Sequence, residues 1–241
     1  MSDEFYVGYL PRAPRELAAF VRRCVVVLAA GVLCAGVALI VGQPKSAPSR
    51  FEFGVNHEYT GRLELWPYPR LRTSEATWLL VDEGKHGWTP SPEAPQSASI
   101  RLRGSLIQRG ADRMLQIEPG SVKVEGSVSA RTGDAPIDLG GATLTGEIVD
   151  TKCYLGVMNP GERKIHRDCA ARCISGGIPP AFIARDASGC VEMLLLASDD
   201  GHSLNHEVLP FAAEPVEISG RILRSGANLV FRIHSPDIRR K

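Results

Sequence analysis

Three cysteines and a histidine hold most of the chemistry available to this chain. They lie in "CYLGVMNPGERKIHRDCAARC", residues 153–173, spaced Cys153-x12-His166-x2-Cys169-x3-Cys173. Thiolate and imidazole are the ligands of structural zinc, and thiolate also suits cuprous copper. Three sulfurs and one nitrogen complete a tetrahedral set, so Cys153, His166, Cys169 and Cys173 are the expected metal ligands, for zinc or copper. The spacing is not that of a common finger, and no CxxCH is present to attach haem. Met158 offers a thioether, although a lone loop methionine more simply packs.

Two other readings compete with the metal. Cys153, Cys169, Cys173 and Cys190 can form a disulfide staple, which would make the segment a structural interaction module holding no metal. Cys169 with Cys173 is the least natural pair, since i, i+4 on a regular helix has awkward sulfur geometry. A reactive thiol is the third reading. Lys152, Arg163, Lys164, Arg167 and Arg172 outnumber Asp150, Glu162 and Asp168, and positive surroundings lower a thiol pKa. A thiol–disulfide exchange enzyme is disfavoured, because CxxxC replaces CxxC and no βαβ pattern surrounds it. No Ser-His-Asp order, phosphate loop or paired catalytic carboxylates can be read, so the balance lies against an enzyme.

The positioning elements follow from local pattern. "TLTGEIVD" reads as a strand ending just before Cys153, and Asn159-Pro160-Gly161 turns the chain. Residues 163–174 can make three helical turns, stopped by Gly176-Gly177. On such a helix His166, Cys169 and Cys173 share a face.

An internal repeat organises the rest. "IRLRGSLIQRGADRMLQI" (100–117) aligns without a gap on "VEISGRILRSGANLVFRI" (216–233), each a strand, a Gly-containing turn and a strand. "YTGRLEL" (59–65) resembles "LTGEIVD" (144–150), and "TWLLVDEG" (77–84) more loosely resembles "AFIARDAS" (181–188). The expected fold is therefore mostly β: two tandem small barrels of about five strands, OB-like. The first spans 51–126 and the second 142–235. The second carries a short helical Cys/His insert at 151–180. Residues 127–141 join the barrels and 236–241 form a tail. "VDEGKHGW" (81–88) is a turn in which Lys85 and His86 bind an anion, contact the second copy, or are plain surface. His202 and His206 are an accessory metal pair or, more simply, part of a polar loop.

Residues 24–42, "CVVVLAAGVLCAGVALIVG", carry no charge and are long enough to span a bilayer. Arg12, Arg15, Arg22 and Arg23 precede them, which puts residues 1–23 in the cytoplasm. A linker at 43–50 and the barrels then lie outside, in an oxidising periplasm. A cleaved signal is the alternative, but the apolar run exceeds the usual signal core and no clean site follows it. The +1 net charge and 6% aromatic content argue against a nucleic-acid partner.

"TGEIVDTKCYLG…HRDCAARCISGGIPPAFIARD" resembles the signature of uncharacterised bacterial membrane-anchored envelope proteins with an OB-like domain. The recurring elements are D-x-x-C-Y, H-x-x-C-A, C-x-x-G and G-x-P, over about residues 143–190. This resemblance marks Asp150, Cys153, His166, Cys169, Cys173 and Gly177, while Cys190 departs from it. It brings no established activity. The N-terminal "FYVGYLPRAP" with the anchor resembles membrane components of bacterial electron-transfer operons, which implies an accessory or assembly subunit of an envelope redox system, with a protein partner in that envelope and a Cys/His site that binds a metal or a redox partner.

Overall fold

The computed structural model describes residues 13–42, 47–91, 98–127, 135–186 and 191–241. They fall in two compact units, Met1–Ser46 and Ala47–Lys241. The first contains helix α1 (Arg15–Gly42), 28 residues with none buried. It is long and apolar enough to cross a membrane, and is compatible with a single-pass anchor. At 1.5 Å per residue it measures about 42 Å, against about 30 Å of bilayer hydrocarbon. It begins before the uncharged run, because Glu16-Leu17-Ala18-Ala19 are good helix formers and Glu16 suits a helix N-terminus.

The second unit is built from two closed five-stranded rings. Its strands are β1 (Ser49–Phe51), β2 (His57–Glu64), β3 (Arg70–Arg72), β4 (Thr77–Val81), β5 (Ala98–Arg109), β6 (Asp112–Ile117) and β7 (Lys123–Ser127). They continue as β8 (Ile137–Asp150), β9 (Pro180–Arg185), β10 (Val191–Ser198), β11 (Pro215–Ser225) and β12 (Asn228–Arg240). The first ring runs β5-β2-β3-β4-β6 and closes where β6 returns to β5; β1 and β7 also pair with β5. The second runs β8-β9-β10-β12-β11. Every pairing within the rings is antiparallel except β4–β6 and β10–β12, which are parallel. The sequence boundaries shift slightly: β8 begins within the stretch read as a joint, and β12 runs through the stretch read as a tail.

Closure depends on two glycines. β5 pairs with β2 through Gly104 and with β6 from Gly104 onward, so its backbone meets two neighbours there. A Cβ on Gly104 would lie 2.6 Å from the Gln116 carbonyl oxygen. Gly220 of β11 repeats the arrangement between β8 and β12, where a Cβ would lie 2.3 Å from the Arg232 carbonyl. Glycine is what permits such close backbone approach inside a strand.

Strand register carries the repeat through the whole second unit. Gly61 pairs with Ile100 and Gly146 with Val216; Leu79 pairs with Met114 and Leu195 with Val230. The hairpins and third strands of the two rings thus lie 116 positions apart. This corrects one alignment: β4 corresponds to β10 and not to residues 181–188. Apolar run and β-propensity look alike in both strands, so only pairing separates them. From Leu63 to its partner Leu71 is eight positions; from Ile148 to its partner Phe182 is 34. The extra chain sits between first and second strands, where residues 151–179 leave the barrel.

Each ring has its own apolar core, around Leu63, Leu80 and Ile100 in the first and Ile148, Leu196 and Phe231 in the second. A third cluster joins them. Leu79, Ile107 and Met114 of the first ring pack with Tyr154, Leu155 and Cys173 of the insert and Leu195 and Val230 of the second ring. β4 is buried on both faces because it belongs to a ring and to this junction at once. The contact is reciprocal. Tyr68, between β2 and β3, donates to the Leu196 carbonyl at 2.6 Å, and Lys152, between β8 and β9, donates to the Asp82 and Gly84 carbonyls at 2.7 and 2.8 Å. The tip of the first hairpin lays Arg109 over the Tyr154 ring at 4.4 Å. The tip of the second receives Arg70, whose guanidinium donates to Ser225 Oγ at 2.9 Å.

Candidate metal centre

The insert leaves β8 at Asp150, a fully buried carboxylate. Asp150 Oδ1 accepts the Cys153 backbone N–H at 2.8 Å, which caps the wide helical turn Cys153–Val157. This bond fixes where the Cys153 side chain starts. After Asn159-Pro160-Gly161, a tight turn at Lys164–His166 leads into helix α2 (Arg167–Ser175). α2 ends where the Gly176 N–H bonds the Arg172 carbonyl and Gly177 takes φ of 94°. Asn205 donates to the Ile174 and Ile178 carbonyls at 2.7 and 2.8 Å, tying the end of α2 to the second ring.

The expected helix over 163–174 is therefore shorter and begins later. His166 precedes α2 instead of sharing its face with the cysteines. Its Nε2 lies 2.9 Å from Oδ2 of Asp150, at the end of β8, which holds the imidazole inward. Cys169 and Cys173 do sit one helical turn apart on α2.

The sulfurs converge. Cys153 Sγ lies 3.9 Å from Cys169 Sγ and 4.0 Å from Cys173 Sγ. Two overlapping groups have ligand atoms within 4.8 Å of one another: Cys153, His166 and Cys169, and Asp150, Cys153 and Cys173. Cys153, Cys173, His166 and Asp150 are buried, while Cys169 is half-buried and forms the open side. The alternative of a disulfide among these residues is not met: Cys153, Cys169 and Cys173 are free thiols, because their sulfurs are in contact without being bonded. Cys190 lies outside the described residues. Met158 is 45% exposed. His202 and His206 are exposed; His202 faces Asp200 in a surface turn.

The ammonium of the first barrel's Lys85 touches the sulfurs, while that of the second barrel's Lys152 is turned to the Asp82 and Gly84 carbonyls. Lys85, in the turn after β4, donates to Cys169 Sγ at 2.8 Å and to Cys173 Sγ at 3.6 Å. Lys152 is buried beside Cys153. The contact with Cys173 and then burial push the Cys153 thiol far up, whereas the hydrogen bond from Cys153 holds Cys173 below the usual thiol range. The hydrogen bond to Cys169 raises Lys85, and burial lowers Lys152 to about 8 despite the nearby sulfurs.

Lys85 had a faint signal in the sequence, as part of a turn expected to be plain surface or to touch the second copy. Which atoms it touches was hidden, because Lys85 and Cys169 are 84 positions apart and meet only through barrel docking. Asp150 was marked by resemblance alone; its two hydrogen bonds, to the Cys153 backbone N–H and to His166 Nε2, supply the physical reason.

No family model matches the chain, and neither a curated protein nor a solved structure matches it.

Proposed function

We propose that this chain is a membrane-anchored metal-binding protein whose site is Cys153, Cys169, Cys173 and His166, holding zinc or copper. The observation that carries the reading is the sulfur separation of 3.9 and 4.0 Å. Sulfurs about 2.3 Å from a tetrahedral ion stand about 3.8 Å from one another, which matches both separations that Cys153 makes; Cys173 falls in a different group from His166 and Cys169, and binding draws the two groups together. His166 contributes the fourth ligand. With Nε2 engaged by Asp150, Nδ1 is the nitrogen left for a metal, as in carboxylate–histidine–metal arrangements. The half-buried Cys169 side gives an ion its way in.

Both rings are OB-like. In each, the five strands run first-second-third-fifth-fourth, with the third and fifth parallel. The anchor leaves the N-terminus in the cytoplasm and the barrels in the periplasm, by the arginine bias before the apolar run. There the protein serves an envelope electron-transfer or assembly system as a non-enzymatic accessory subunit. Its resemblance to envelope proteins carrying D-x-x-C-Y and H-x-x-C-A supports that placement.

The test is a metal and thiol count on the full chain, purified in detergent without reductant. One equivalent of zinc or copper is expected, with three further thiols becoming titratable on chelation beyond whatever Cys24, Cys34 and Cys190 contribute before it. No bound metal after reconstitution, with the thiols lost to disulfides, would replace this reading with a stapled interaction module.

A further inference from the structure

The metal site is usually assigned to the domain that carries its ligands. Here a residue of the first barrel reaches two of the sulfurs. We propose that Lys85 is part of the site: its ammonium compensates the charge of a divalent ion held by three thiolates, so the site is complete only when both barrels are docked. This rests on the metal-binding reading above and adds the residue and the ion charge.

Lys85 is held in place by its turn. The Asp82 N–H bonds the His86 carbonyl at 3.0 Å, and Val81 bridges Gly87. The turn is fastened to the insert from several directions. Lys152 donates to the Asp82 and Gly84 carbonyls, and the Gly87 N–H bonds the Gly176 carbonyl at 2.9 Å. There is no room for a side chain between them: a Cβ on Gly176 would lie 1.9 Å from the Lys85 carbonyl oxygen.

The repeat supplies an internal control. The second copy has the same turn, where Ala197 bridges Ser203 and the Ser198 N–H bonds the His202 carbonyl at 3.0 Å. By strand register the residue matching Lys85 is Gly201, which packs against the Trp66 side chain. The turn itself thus has no need of a lysine; the copy that faces thiols has one.

Charge balance points the same way. Three thiolates around a divalent ion leave one negative charge on a cluster in which Cys153 and Cys173 are buried and Cys169 is half-buried, and uncompensated charge on buried groups is costly; Lys85 meets it from the exposed edge. Asp150 and Lys152 offset each other. Lys85 supplies the remaining positive charge, and hydrogen bonds to ligand sulfurs are the usual way an outer residue strengthens a metal site.

The experiment compares zinc affinity of the full chain in detergent, by competition with a chromophoric chelator, for the unmodified protein, K85M and K85R. K85M is expected to bind zinc about 10–100-fold more weakly, with the unfolding midpoint of the metal-free protein unchanged. K85R, which keeps the charge, is expected to recover most of the loss. Equal affinity in K85M and the unmodified protein overturns the proposal, as does an equal loss in K85M and K85R, which would mark a purely steric role. Absence of zinc binding by the unmodified protein would instead remove the metal reading beneath it.

Discussion

Asp150 holds two residues of the cluster at once: Oδ1 accepts the Cys153 backbone N–H at 2.8 Å and Oδ2 lies 2.9 Å from His166 Nε2. One buried carboxylate at the end of β8 therefore fixes both the cysteine that opens the insert and the imidazole that precedes α2. Asp150→Asn keeps the shape and one carbonyl acceptor but loses the charge and one acceptor. It should weaken zinc binding about 10–100-fold, as outer-residue changes do. Asp150→Ala should in addition lower the stability of the metal-free protein by about 1–3 kcal/mol, through the unpaired Cys153 N–H and His166 ring. Chelator competition and urea unfolding separate the two effects.

The seam between turn and insert is expected to be intolerant of a methyl group. A Cβ on Gly87 would lie 2.1 Å from the Gly177 carbonyl oxygen, whereas one on Gly126 meets nothing within 4 Å. Gly87→Ala should cost about 1–3 kcal/mol by forcing backbone apart, and Gly126→Ala should stay within about 0.5 kcal/mol, as for surface changes. Urea midpoints of the two variants check this. Gly87→Ala should also weaken metal binding, because it moves Lys85.

Asp112 gives a pH dependence. Burial, then the neighbouring Glu192, raises its carboxyl from 3.8 to about 6. A raised carboxyl favours the protonated form in the folded protein. Its cost is therefore absent below the unfolded value, grows as pH rises from about 4 to 6, and is constant above that. Asp112→Asn should stabilise the protein by about 1–3 kcal/mol at pH 7 and leave stability unchanged near pH 3. Unfolding midpoints across that range give the answer.

Arg70, like Lys152, is a buried cation of the barrel junction. It donates to Ser225 Oγ and carbonyl and pairs with Glu64 at 3.0 Å. Burial lowers its guanidinium to about 10, so it stays charged at neutral pH. Glu64 retains Arg62 and Arg72 as partners, which limits the penalty for its loss. Arg70→Met should cost about 2–3 kcal/mol, the price of buried hydrogen bonds to a charged donor, measured by urea unfolding.

The convergence of Cys153 with His166, Cys169 and Cys173, and the repeated hairpin, were both legible in the sequence, for different reasons. Cysteine spacing is a local signal, and an ungapped match between Gly104 and Gly220 survives because ring closure requires glycine at both. The third strands were misaligned, since "TWLLV" and "AFIAR" have similar apolar content and only hydrogen-bond register tells them apart. His166 was assigned to the helix because spacing cannot register the pull of Asp150, 16 positions earlier. Lys85 was hidden for the same kind of reason: its partners depend on tertiary docking, which no local pattern encodes.

The reciprocal junction has one more consequence. Tyr68 reaches Leu196 as Lys152 reaches Asp82, and the Arg70–Ser225 contact mirrors Arg109–Tyr154. Matching surfaces that exchange partners are the mark of a two-fold axis, here folded into a single polypeptide. A homodimer with such an axis would own two identical thiol pockets; in this chain the halves have diverged, one supplying sulfur and the other the cation that attends it.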